Sequence, residues 1–532
     1  MWMALCLTLA ALVVAVVAHD LVQRKHAILR NFPIVGHFRY WLESVGPELR
    51  QYIVTSNTEE RPFSRDQRRW VYASSKLANN YFGFGSDHDM ELTPNYLIIK
   101  HQVFPKRSPR LGDPDFDGTY AIPGAKELGG FRRRAKAFTP RSVINISGMS
   151  FGALSGPAIE ALNRGARIAG CWQNTGEGGI SPHHLSGGDL VWQIGTGYFG
   201  CRELDGRFSM SRLVEMTNRY PAVRAIEIKL SQGAKPGVGG VLPRGKISPE
   251  IARIRGIPTD RDCVSPACHS AFHDADSLLD FAESIATETG LPVGIKSAVG
   301  ELQFWHDLAL HMTRGDRGVD FVTIDGGEGG TGAGPLVFAD RVSLPFKVGF
   351  SRVQHVFADY GLDGRVVFIG SGKLGFPDAA LLGFTLGCDL INVGREALMS
   401  IGCIQALRCH TNHCPTGIAT QHPWLIRGLD PELKSARLAN YVMGLRKELL
   451  ILTHACGEDH PASVSAEQLE ILDDRFGSKT VAEMFGGRGR GLAPNDMGRE
   501  EGPQGPPAPA AATPARGAGA GAGRGGSAAA VR

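Results

Sequence analysis

A cluster of three cysteines within twelve residues has the spacing of a metal site: Cys403, Cys409 and Cys414. Three thiolates this close in sequence can bind one metal centre, and the Cys-Pro pair that ends the run is typical of ferredoxin-type iron–sulfur ligation. Three thiol ligands favour a [3Fe-4S] cluster. Zinc is one alternative, with His410 or His413 as a fourth ligand. Buried thiols without a metal are the other.

Two short loops before this run have the composition of a phosphate site: Gly370, Ser371 and Gly372 in the first, Gly394 and Arg395 in the second. Backbone N–H groups of two adjacent loops can bind a single phosphate, as in a mononucleotide such as FMN. The first loop alone also matches the dinucleotide pattern GxGxxG. That pattern requires an acid at the end of the next strand, whereas Asp389 stands at the beginning of it. Ordinary turn glycines are the remaining alternative.

The cysteine run follows the second loop directly, so the sequence predicts a metal cluster close to a flavin. A cluster in that position can supply single electrons to a flavin, which then transfers a hydride.

The elements that must position these loops form a repeating pattern. Six short apolar runs are separated by segments with apolar residues at helical spacing: 143–147, 225–229, 292–296, 320–324, 365–370 and 389–394. Ile159, Leu162 and Ile168 are one example of the helical spacing. Polar and glycine-rich residues follow the ends of the apolar runs. This pattern predicts an α/β (β/α)8 TIM barrel with its site at the carboxyl ends of the strands. The last two runs would be its seventh and eighth strands, and an open doubly wound sheet is the alternative.

The two ends of the chain differ from this core. Residues 1–19 are an apolar run that predicts a transmembrane anchor, with a signal peptide cut after Ala18 or a buried helix as alternatives. Arg24, Lys25 and Arg30 follow the run, which places the catalytic domain in the cytoplasm by the positive-inside rule. Residues 20–105 are expected to form a collar, 106–456 the FMN-binding (β/α)8 domain, 457–496 a C-terminal extension and 497–532 a disordered tail.

Charge and cysteine usage exclude some classes. The net charge is only +4 and no basic face is interleaved with aromatics, so nucleic acid is not an expected partner. The ten cysteines are irregularly spaced apart from the one cluster, which indicates a reducing compartment rather than a disulfide framework.

Several motifs resemble, in the same order, the FMN-binding synthase domain of glutamate synthase: MSFGALS (149–155), NTGEGG (174–179), IKLSQGAKPGVGG (228–240), KISPEIARIR (246–255), EGGTGAGP (328–335) and GCIQALRCHTNHCPTGIATQ (402–421). The resemblance covers residues 110–456. It implies FMN, a [3Fe-4S] cluster on the three cysteines, and conversion of 2-oxoglutarate and ammonia through 2-iminoglutarate to L-glutamate.

Roles follow from the resemblance and the residue types. Lys235 and Arg255 are expected to hold the carboxylates of the keto acid, together with Gln232. Lys229 is expected to act on the carbonyl oxygen and Glu177 to transfer a proton, so that Glu177, Lys229 and Lys235 form the catalytic set. The expected FMN contacts, with Lys296 at the flavin N1–O2 edge, are Met149, Ser150, Gln193, Lys229, Lys296, Gly330, Thr331, Gly370, Ser371, Gly372, Gly394 and Arg395.

Two departures from the family pattern matter. The amidotransferase half, with its N-terminal cysteine, is not seen in a chain that begins Met1-Trp2-Met3, so ammonia must be free, come from another amine, or come from a separate glutaminase subunit. The family pattern GEGGQ reads GVGGV at 237–241, which puts Val241 where a glutamine is expected near the keto acid. That change leaves the identity of the substrate open, because a site that hydrogen-bonds a polar group of its substrate rejects analogues without that group.

Three functions therefore stand. The first is glutamate-synthase-like reductive amination of 2-oxoglutarate, with a ferredoxin-like electron donor because no NAD(P)H-binding domain is visible. The second is a flavin-dependent oxidoreductase acting on another 2-oxo or 2-hydroxy acid. The third is a non-catalytic, membrane-bound electron-transfer or scaffold subunit.

Overall fold

A computed structural model of the chain describes residues 2–23, 29, 32–49, 59–78, 80, 83, 85–86, 88–114 and 116–486. The predicted disordered tail, residues 497–532, lies outside the described residues. So do the basic residues Arg24, Lys25 and Arg30 that follow the apolar run.

Eight parallel strands close into a barrel, which confirms the (β/α)8 prediction and makes the open doubly wound sheet wrong. Around the barrel the strands are β2 (Ile144–Ile146), β3 (Gln173–Asn174), β4 (Leu190–Ile194), β5 (Val223–Lys229), β8 (Val293–Ser297), β9 (Phe321–Asp325), β10 (Val367–Ser371) and β11 (Leu390–Val393). The last strand, β11, pairs in parallel with the first, β2, and so closes the barrel; Ile391 lies opposite Ile144. The residues of β8 to β11 are buried, as expected for strands covered on both faces.

The six apolar runs are all barrel strands, and the runs at 365–370 and 389–394 are the seventh and eighth. Sequence reasoning missed β3 and β4. The two residues of β3, Gln173 and Asn174, are both polar and fully buried, so no apolar run marks this strand.

Helices cover the barrel. Their bounds along the chain are α3 (Arg65–Ser75), α4 (Gly156–Ala169), α5 (Met210–Arg219), α6 (Pro249–Arg255), α7 (Ala275–Thr289), α8 (Gln303–Arg314), α9 (Leu336–Arg341), α10 (Phe346–Asp359), α11 (Pro377–Thr385), α12 (Arg395–Ser400), α13 (Pro423–Ile426), α14 (Pro431–Ala455) and α15 (Val481–Phe485). In α4, Ile159 and Leu162 are buried against the barrel whereas Ile168 is exposed. Ser155 caps its first turn by accepting from the Ala158 N–H, and Gly170 ends it in the left-handed region.

The long helix α14 packs across α4 at close range. A Cβ at Gly165 of α4 would lie 2.8 Å from the Leu438 Cβ, so a glycine there lets the two backbones approach. Arg446 of α14 donates to the carbonyl oxygen of Ala169 at 2.9 Å, and this hydrogen bond joins α14 to the end of α4.

Two small sheets lie outside the barrel. One is antiparallel, with β12 (Leu469–Leu472) between β1 (Tyr96–Ile99) and β13 (Ser478–Thr480). It joins the predicted collar to the predicted C-terminal extension. The other pairs β6 (Val241–Leu242) with β7 (Cys263–Val264).

The N-terminal run is a helix, α1 (Trp2–Val22), which is followed by α2 (Val35–Leu49). Among the described residues α1 is the one helix long and apolar enough to cross a membrane, a property that signal sequences share. The Asp20 carboxylate near its end accepts from the Ile34 N–H at 3.1 Å and contacts the His37 Nε2 at 2.9 Å. These contacts tie α2 to the end of α1.

Candidate active site at the carboxyl ends of the barrel strands

The loops that follow β5, β9, β10 and β11 meet at one end of the barrel, here called the rim. The Gly326 N–H donates to the Ser371 carbonyl oxygen at 2.8 Å, and the Gly233 N–H donates to Asp325 Oδ2 at 2.9 Å. A Cβ at Gly233 would lie 1.7 Å from the Gly326 oxygen, so only glycine fits there. The rim is therefore a packed set of loops with nearly fixed backbone positions.

The two predicted phosphate loops are adjacent at the rim, after β10 and β11. Among the described residues, none accepts a hydrogen bond from the backbone N–H of Gly372 or Lys373. The side chain of Arg395 donates to the Glu328 carbonyl oxygen, and a Cβ at Gly330 would lie 2.6 Å from the Arg395 Cδ. The structure thus brings Gly330 close to the second loop and leaves N–H donors in the first.

A polar network lies inside the barrel below the rim. The two oxygens of the Glu227 carboxylate, which is 1% exposed, accept from Asn174 Nδ2 at 2.8 Å, Gln193 Nε2 at 2.7 Å and Thr323 Oγ1 at 2.7 Å. Gln193 was predicted as a cofactor contact, whereas Glu227 was missed. Glu227 lies between two buried isoleucines in the strand AIEIK. Because side chains alternate between the two faces of a strand, this pattern could have identified Glu227 as a polar residue that faces the barrel interior.

Lys296 on β8 is buried and faces a carboxylate. Its Nζ lies 3.7 Å from Asp325 Oδ2 on the neighbouring strand β9. Asp325 also accepts from the Gly233 N–H, so this ion pair is tied to the loop that follows β5.

Glu177, Lys229 and Gln232 form one hydrogen-bonded group. Lys229 Nζ donates to Glu177 Oε1 at 2.9 Å and to Gln232 Oε1 at 2.7 Å. Burial of the Glu177 carboxyl raises its pKa, but Lys229, with help from Lys235 and Arg255, more than offsets this and leaves the pKa below its ordinary value. Glu177 is therefore a carboxylate at neutral pH, and it begins any proton transfer as a base.

Lys235 and Arg255, the predicted carboxylate-binding residues, both lie near Glu177. Lys235 Nζ donates to the Ala333 carbonyl oxygen at 2.9 Å, and burial lowers its pKa while Glu177 opposes that effect. Arg255 donates to the Phe151 carbonyl oxygen at 2.9 Å and is stacked over Phe199 at 5.2 Å from the ring centroid. Its Nε is buried and has no partner among the described residues.

The remaining predicted contacts lie in the neighbouring loops. Met149 and Ser150 follow β2, and Ser150 Oγ accepts from Arg255 at 3.3 Å. Thr331 donates to the Ala333 carbonyl oxygen at 3.2 Å, beside the Lys235 ammonium. Val241 is half-buried at the beginning of β6, and a Cβ at the preceding Gly240 would lie 2.7 Å from Glu177 Oε1.

The cysteine run Cys403–Cys414 forms a loop after α12. All three thiols are free, and they interact electrostatically with one another. Within the described residues, however, no three His, Cys, Asp or Glu side chains are arranged to hold a metal ion.

The three thiols differ in how well their surroundings stabilise a thiolate, since the pKa of Cys414 is lowered whereas those of Cys403 and Cys409 are raised by burial. Burial alone would raise the pKa of Cys414, but hydrogen bonds from Thr416 and from backbone N–H groups, including that of Ile418, bring it below the ordinary value. Burial raises the pKa of Cys403 to about 11. Lys246, which sequence reasoning missed, donates to the carbonyl oxygen of Cys409 at 2.9 Å, and its positive charge faces the thiols.

A closed barrel with lysines, a glutamate and glycine-rich loops at its rim defines a protein of the (β/α)8-barrel class whose site lies at the carboxyl ends of the strands. The family model described as the conserved region in glutamate synthase matches residues 130–459. This chain belongs to the glutamate synthase family.

Two relatives by sequence agree with this assignment. A glutamate synthase large subunit-like protein, YerD, of Bacillus subtilis is 37% identical over 84% of this chain and 90% of its own length. An archaeal glutamate synthase [NADPH] of Methanocaldococcus jannaschii is 34% identical over 59% of this chain, which spans 59% of that relative's length. Among solved structures, the flavin-binding domain of baker's yeast flavocytochrome b2 is 11% identical over 77% of this chain and 80% of that chain, with a TM-score of 0.42.

Proposed function

We propose that this chain is an FMN and iron–sulfur oxidoreductase that reductively aminates 2-oxoglutarate to L-glutamate. The observation that carries the proposal is the group at the rim in which Lys229, Glu177 and Lys235 lie together. Two lysines beside one carboxylate suit a dianionic keto acid whose carbonyl carbon must lose an oxygen and gain a nitrogen. Membership of the glutamate synthase family supports the same chemistry.

The rim residues fit FMN. The N–H groups of Gly372 and Lys373, which lack acceptors among the described residues, suit a phosphate, and Arg395 adds a positive charge beside them. Lys296 and Gln193 lie further inside the barrel, where they would meet the flavin ring. When bound, FMN supplies the hydride for the reduction.

The chain's own residues would carry the substrate and the protons. Lys235 and Arg255 would hold the two carboxylates of the keto acid. The Nε of Arg255 has no partner among the described residues, so this part of the guanidinium group is available to bind a carboxylate. Lys229 would polarise the carbonyl oxygen. Glu177, held as a carboxylate, would accept a proton from the incoming ammonium and return it to the departing oxygen as 2-iminoglutarate forms.

The cysteine loop would hold a [3Fe-4S] cluster through Cys403, Cys409 and Cys414. The donor set fits, because three thiols lie in one loop, hydrogen bonds around Cys414 stabilise its thiolate, and the positive charge of Lys246 faces Cys409 and Cys414. Binding would require the thiols to move into ligating positions, since they do not occupy such positions now. A bound cluster would pass electrons from an external donor, for which a ferredoxin-like protein is the proposed class.

Ammonia would be free or come from a separate glutaminase subunit. The helix α1 would anchor the chain in the membrane, with the barrel on the cytoplasmic side.

Anaerobic flavin reoxidation tests this function. The full chain, purified in detergent and reduced with dithionite, is mixed with 2-oxoglutarate, with ammonium, or with both. Reoxidation only when both are present supports the proposal. Reoxidation by 2-oxoglutarate alone, or a preparation without flavin, contradicts it.

Val241 favours a second candidate, an oxidoreductase acting on a different 2-oxo or 2-hydroxy acid. This residue follows Gly240, which packs beside Glu177, and it places an apolar side chain where a polar one is expected for 2-oxoglutarate. A series of 2-oxo acids with apolar side chains in the reoxidation experiment separates the two. Faster reoxidation by one of these acids than by 2-oxoglutarate favours the second candidate.

A further inference from the structure

A segment before the barrel, residues 59–75, lies against the rim; we call it the rim segment. It consists of a stretch of turn and bends that includes Phe63, followed by the helix α3. The backbone N–H of Phe63 donates to Gln405 Oε1 at 3.0 Å, and Gln405 Nε2 donates back to the Phe63 carbonyl oxygen at 3.1 Å. Gln405 stands inside the cysteine loop, so the rim segment is hydrogen-bonded directly to that loop.

A second contact of the rim segment reaches the same loop. The hydroxyl of Tyr72, on α3, donates to the carbonyl oxygen of Cys403 at 2.7 Å. Glu60 forms an ion pair with Arg68 and accepts from Gln405 Nε2 at 3.2 Å. Because Glu60, Arg68 and Gln405 are almost fully buried, the rim segment is a fixed part of the site.

The ring of Phe63 faces two cations of the phosphate loops. The Lys373 Nζ lies 5.1 Å and the Arg395 Cζ 4.9 Å from the ring centroid. Both distances lie within the range of a cation–π interaction. Lys373 also donates to the carbonyl oxygen of Pro62, so the rim segment holds it through both the ring and the backbone. Phe63 is 2% exposed and therefore shields this side of the cations from water.

The two cations lie near each other and near carboxylates: Glu396 and Glu328 act to raise the pKa of both, and Asp325 also acts to raise that of Arg395. Burial and the neighbouring Arg395 lower the pKa of Lys373, and the carboxylates of Glu328 and Glu396 offset this only in part. Two cations, Lys373 and Arg395, nevertheless lie at the loops that carry the N–H groups of Gly372 and Lys373, which lack acceptors among the described residues. A dianion would be stabilised in such a place.

We propose that the rim segment completes the phosphate end of the flavin site, with Phe63 as a positioning residue that holds Lys373 and Arg395 and keeps water away from them. This inference rests on the proposed function, because it takes the bound anion to be the phosphate of FMN. It assigns a role to residues that lie outside the motifs shared with glutamate synthase. Lys373 becomes a phosphate-binding residue.

The test compares two ligands that differ only in the phosphate. The full chain in detergent is stripped of flavin, and the Kd values of FMN and riboflavin are measured by quenching of flavin fluorescence. The variants are Phe63→Ala, Phe63→Leu, Lys373→Met and the double variant Phe63→Ala/Lys373→Met. Phe131→Ala is the matched control, because the Phe131 ring also lies between two cations, Arg132 at 5.6 Å and Arg365 at 5.2 Å.

We expect Phe63→Ala to weaken FMN binding about tenfold and to leave riboflavin binding within about twofold. Lys373→Met should weaken FMN binding by a similar factor, and the double variant should be no weaker than about the worse single variant, because the two residues act as one unit. Phe131→Ala should change neither Kd. Phe63→Leu keeps most of the side-chain volume but removes the aromatic ring. Its Kd for FMN should therefore lie between those of the wild type and Phe63→Ala.

Equal weakening of FMN and riboflavin by Phe63→Ala, or no weakening of either, would overturn the inference. So would losses that simply multiply in the double variant. If circular dichroism shows that Phe63→Ala is unfolded, Phe63→Leu and Lys373→Met decide by the same comparison. A wild-type chain that binds no flavin at all overturns the proposed function, whereas a wild type that prefers FMN but ignores these substitutions overturns only this inference.

Discussion

At the scale of single residues, charge determines the chemistry of the rim. The Glu177 carboxylate is the one anion in a group that includes Lys229, Lys235 and Arg255, and its pKa is lowered by them despite burial. Lys229 is held between Glu177 and Gln232 by two hydrogen bonds. The Glu177 carboxylate is thus ionised, and Lys229 is positioned beside it, before a substrate arrives, as effective electrostatic stabilisation requires.

Replacing Glu177 by glutamine should slow the reaction without abolishing flavin binding. The amide keeps the shape of the side chain but cannot accept a proton, so we expect kcat to fall by about 100-fold or more, with a smaller change in KM. Glu288→Gln, a change on an exposed turn of α7, is the control and should leave kcat unaltered. A kcat of Glu177→Gln within about threefold of wild type would remove Glu177 from the mechanism.

The same carboxylate should leave a trace in the pH dependence of stability. The pKa of Glu177 is lower in the folded protein than in the unfolded chain. Its contribution to the free energy of unfolding is therefore fully present above the ordinary glutamate pKa of about 4.3, and is lost as the pH falls through the lowered pKa. Urea unfolding between about pH 6 and pH 3 should therefore show the stability difference between wild type and Glu177→Gln shrinking toward acid pH. A difference that stays constant or grows toward acid pH would mean that the pKa is not lowered.

Single residues also mark the limit of sequence reasoning. Glu177, Lys229, Gln232 and Lys235 were selected from motifs, and the structure brings them into one group. Glu227 was missed, because its role depends on three partners contributed by other strands. Gln405 was missed for a similar reason, since its partner Phe63 lies more than 300 residues away in sequence.

At the scale of elements, the rim depends on close contact between loops. A Cβ at Gly233 would overlap the Gly326 carbonyl oxygen, and backbone cannot shift as a flexible side chain can. Gly233→Ala should therefore push the loops after β5 and β9 apart and cost about 1–3 kcal/mol of stability. Gly300→Ala, where a Cβ meets no atom within 4 Å, is the control and should cost little. Equal midpoints in urea for the two variants would contradict the packing described for the rim.

The cysteine loop makes a separate prediction about metal content. Cys409→Ser should lower bound iron and remove the EPR signal of the cluster while FMN remains bound, because the phosphate loops are formed by other residues, 370–372 and 394–395. The control is Cys268→Ser, since Cys268 is exposed and lies outside the cysteine loop. Full iron content in Cys409→Ser, or zinc in place of iron in the wild type, would refute the proposed cluster.

Elements were predictable where their residues repeat a clear pattern. The apolar runs of β5, β8, β9, β10 and β11 were found within a few residues of their bounds. The strand β3 was not, because both of its residues are polar, and Asn174 donates to Glu227 inside the barrel. The contacts of the rim segment with the phosphate loops were equally inaccessible, since no local pattern links residues 59–75 to Lys373 and Arg395.

At the scale of the whole molecule, the chain combines a barrel with an apolar N-terminal helix. The Asp20 carboxylate ties α2 to the end of α1. Two exposed aromatic side chains of α2, Phe38 and Trp41, are stacked with their ring centroids 5.7 Å apart. Aromatic residues beside an apolar helix are typical of a membrane interface.

Deletion of residues 2–22 tests the proposed anchor. The truncated chain should move from the membrane fraction to the soluble fraction of a cell lysate and should keep its flavin, because α1 contributes no residue to the rim. The control is the full chain extracted with high salt, which should remain in the membrane fraction. A full chain that is soluble without detergent would contradict the anchor.

A single-turnover measurement shows whether this barrel forms a C–N bond on a keto acid. The full chain, reduced anaerobically, is mixed with 2-oxoglutarate and 15N-ammonium, and the quenched products are analysed by mass spectrometry. We expect about one equivalent of 15N-labelled L-glutamate per flavin, and none with Glu177→Gln on the same timescale. Oxidation of the flavin without labelled glutamate would contradict it.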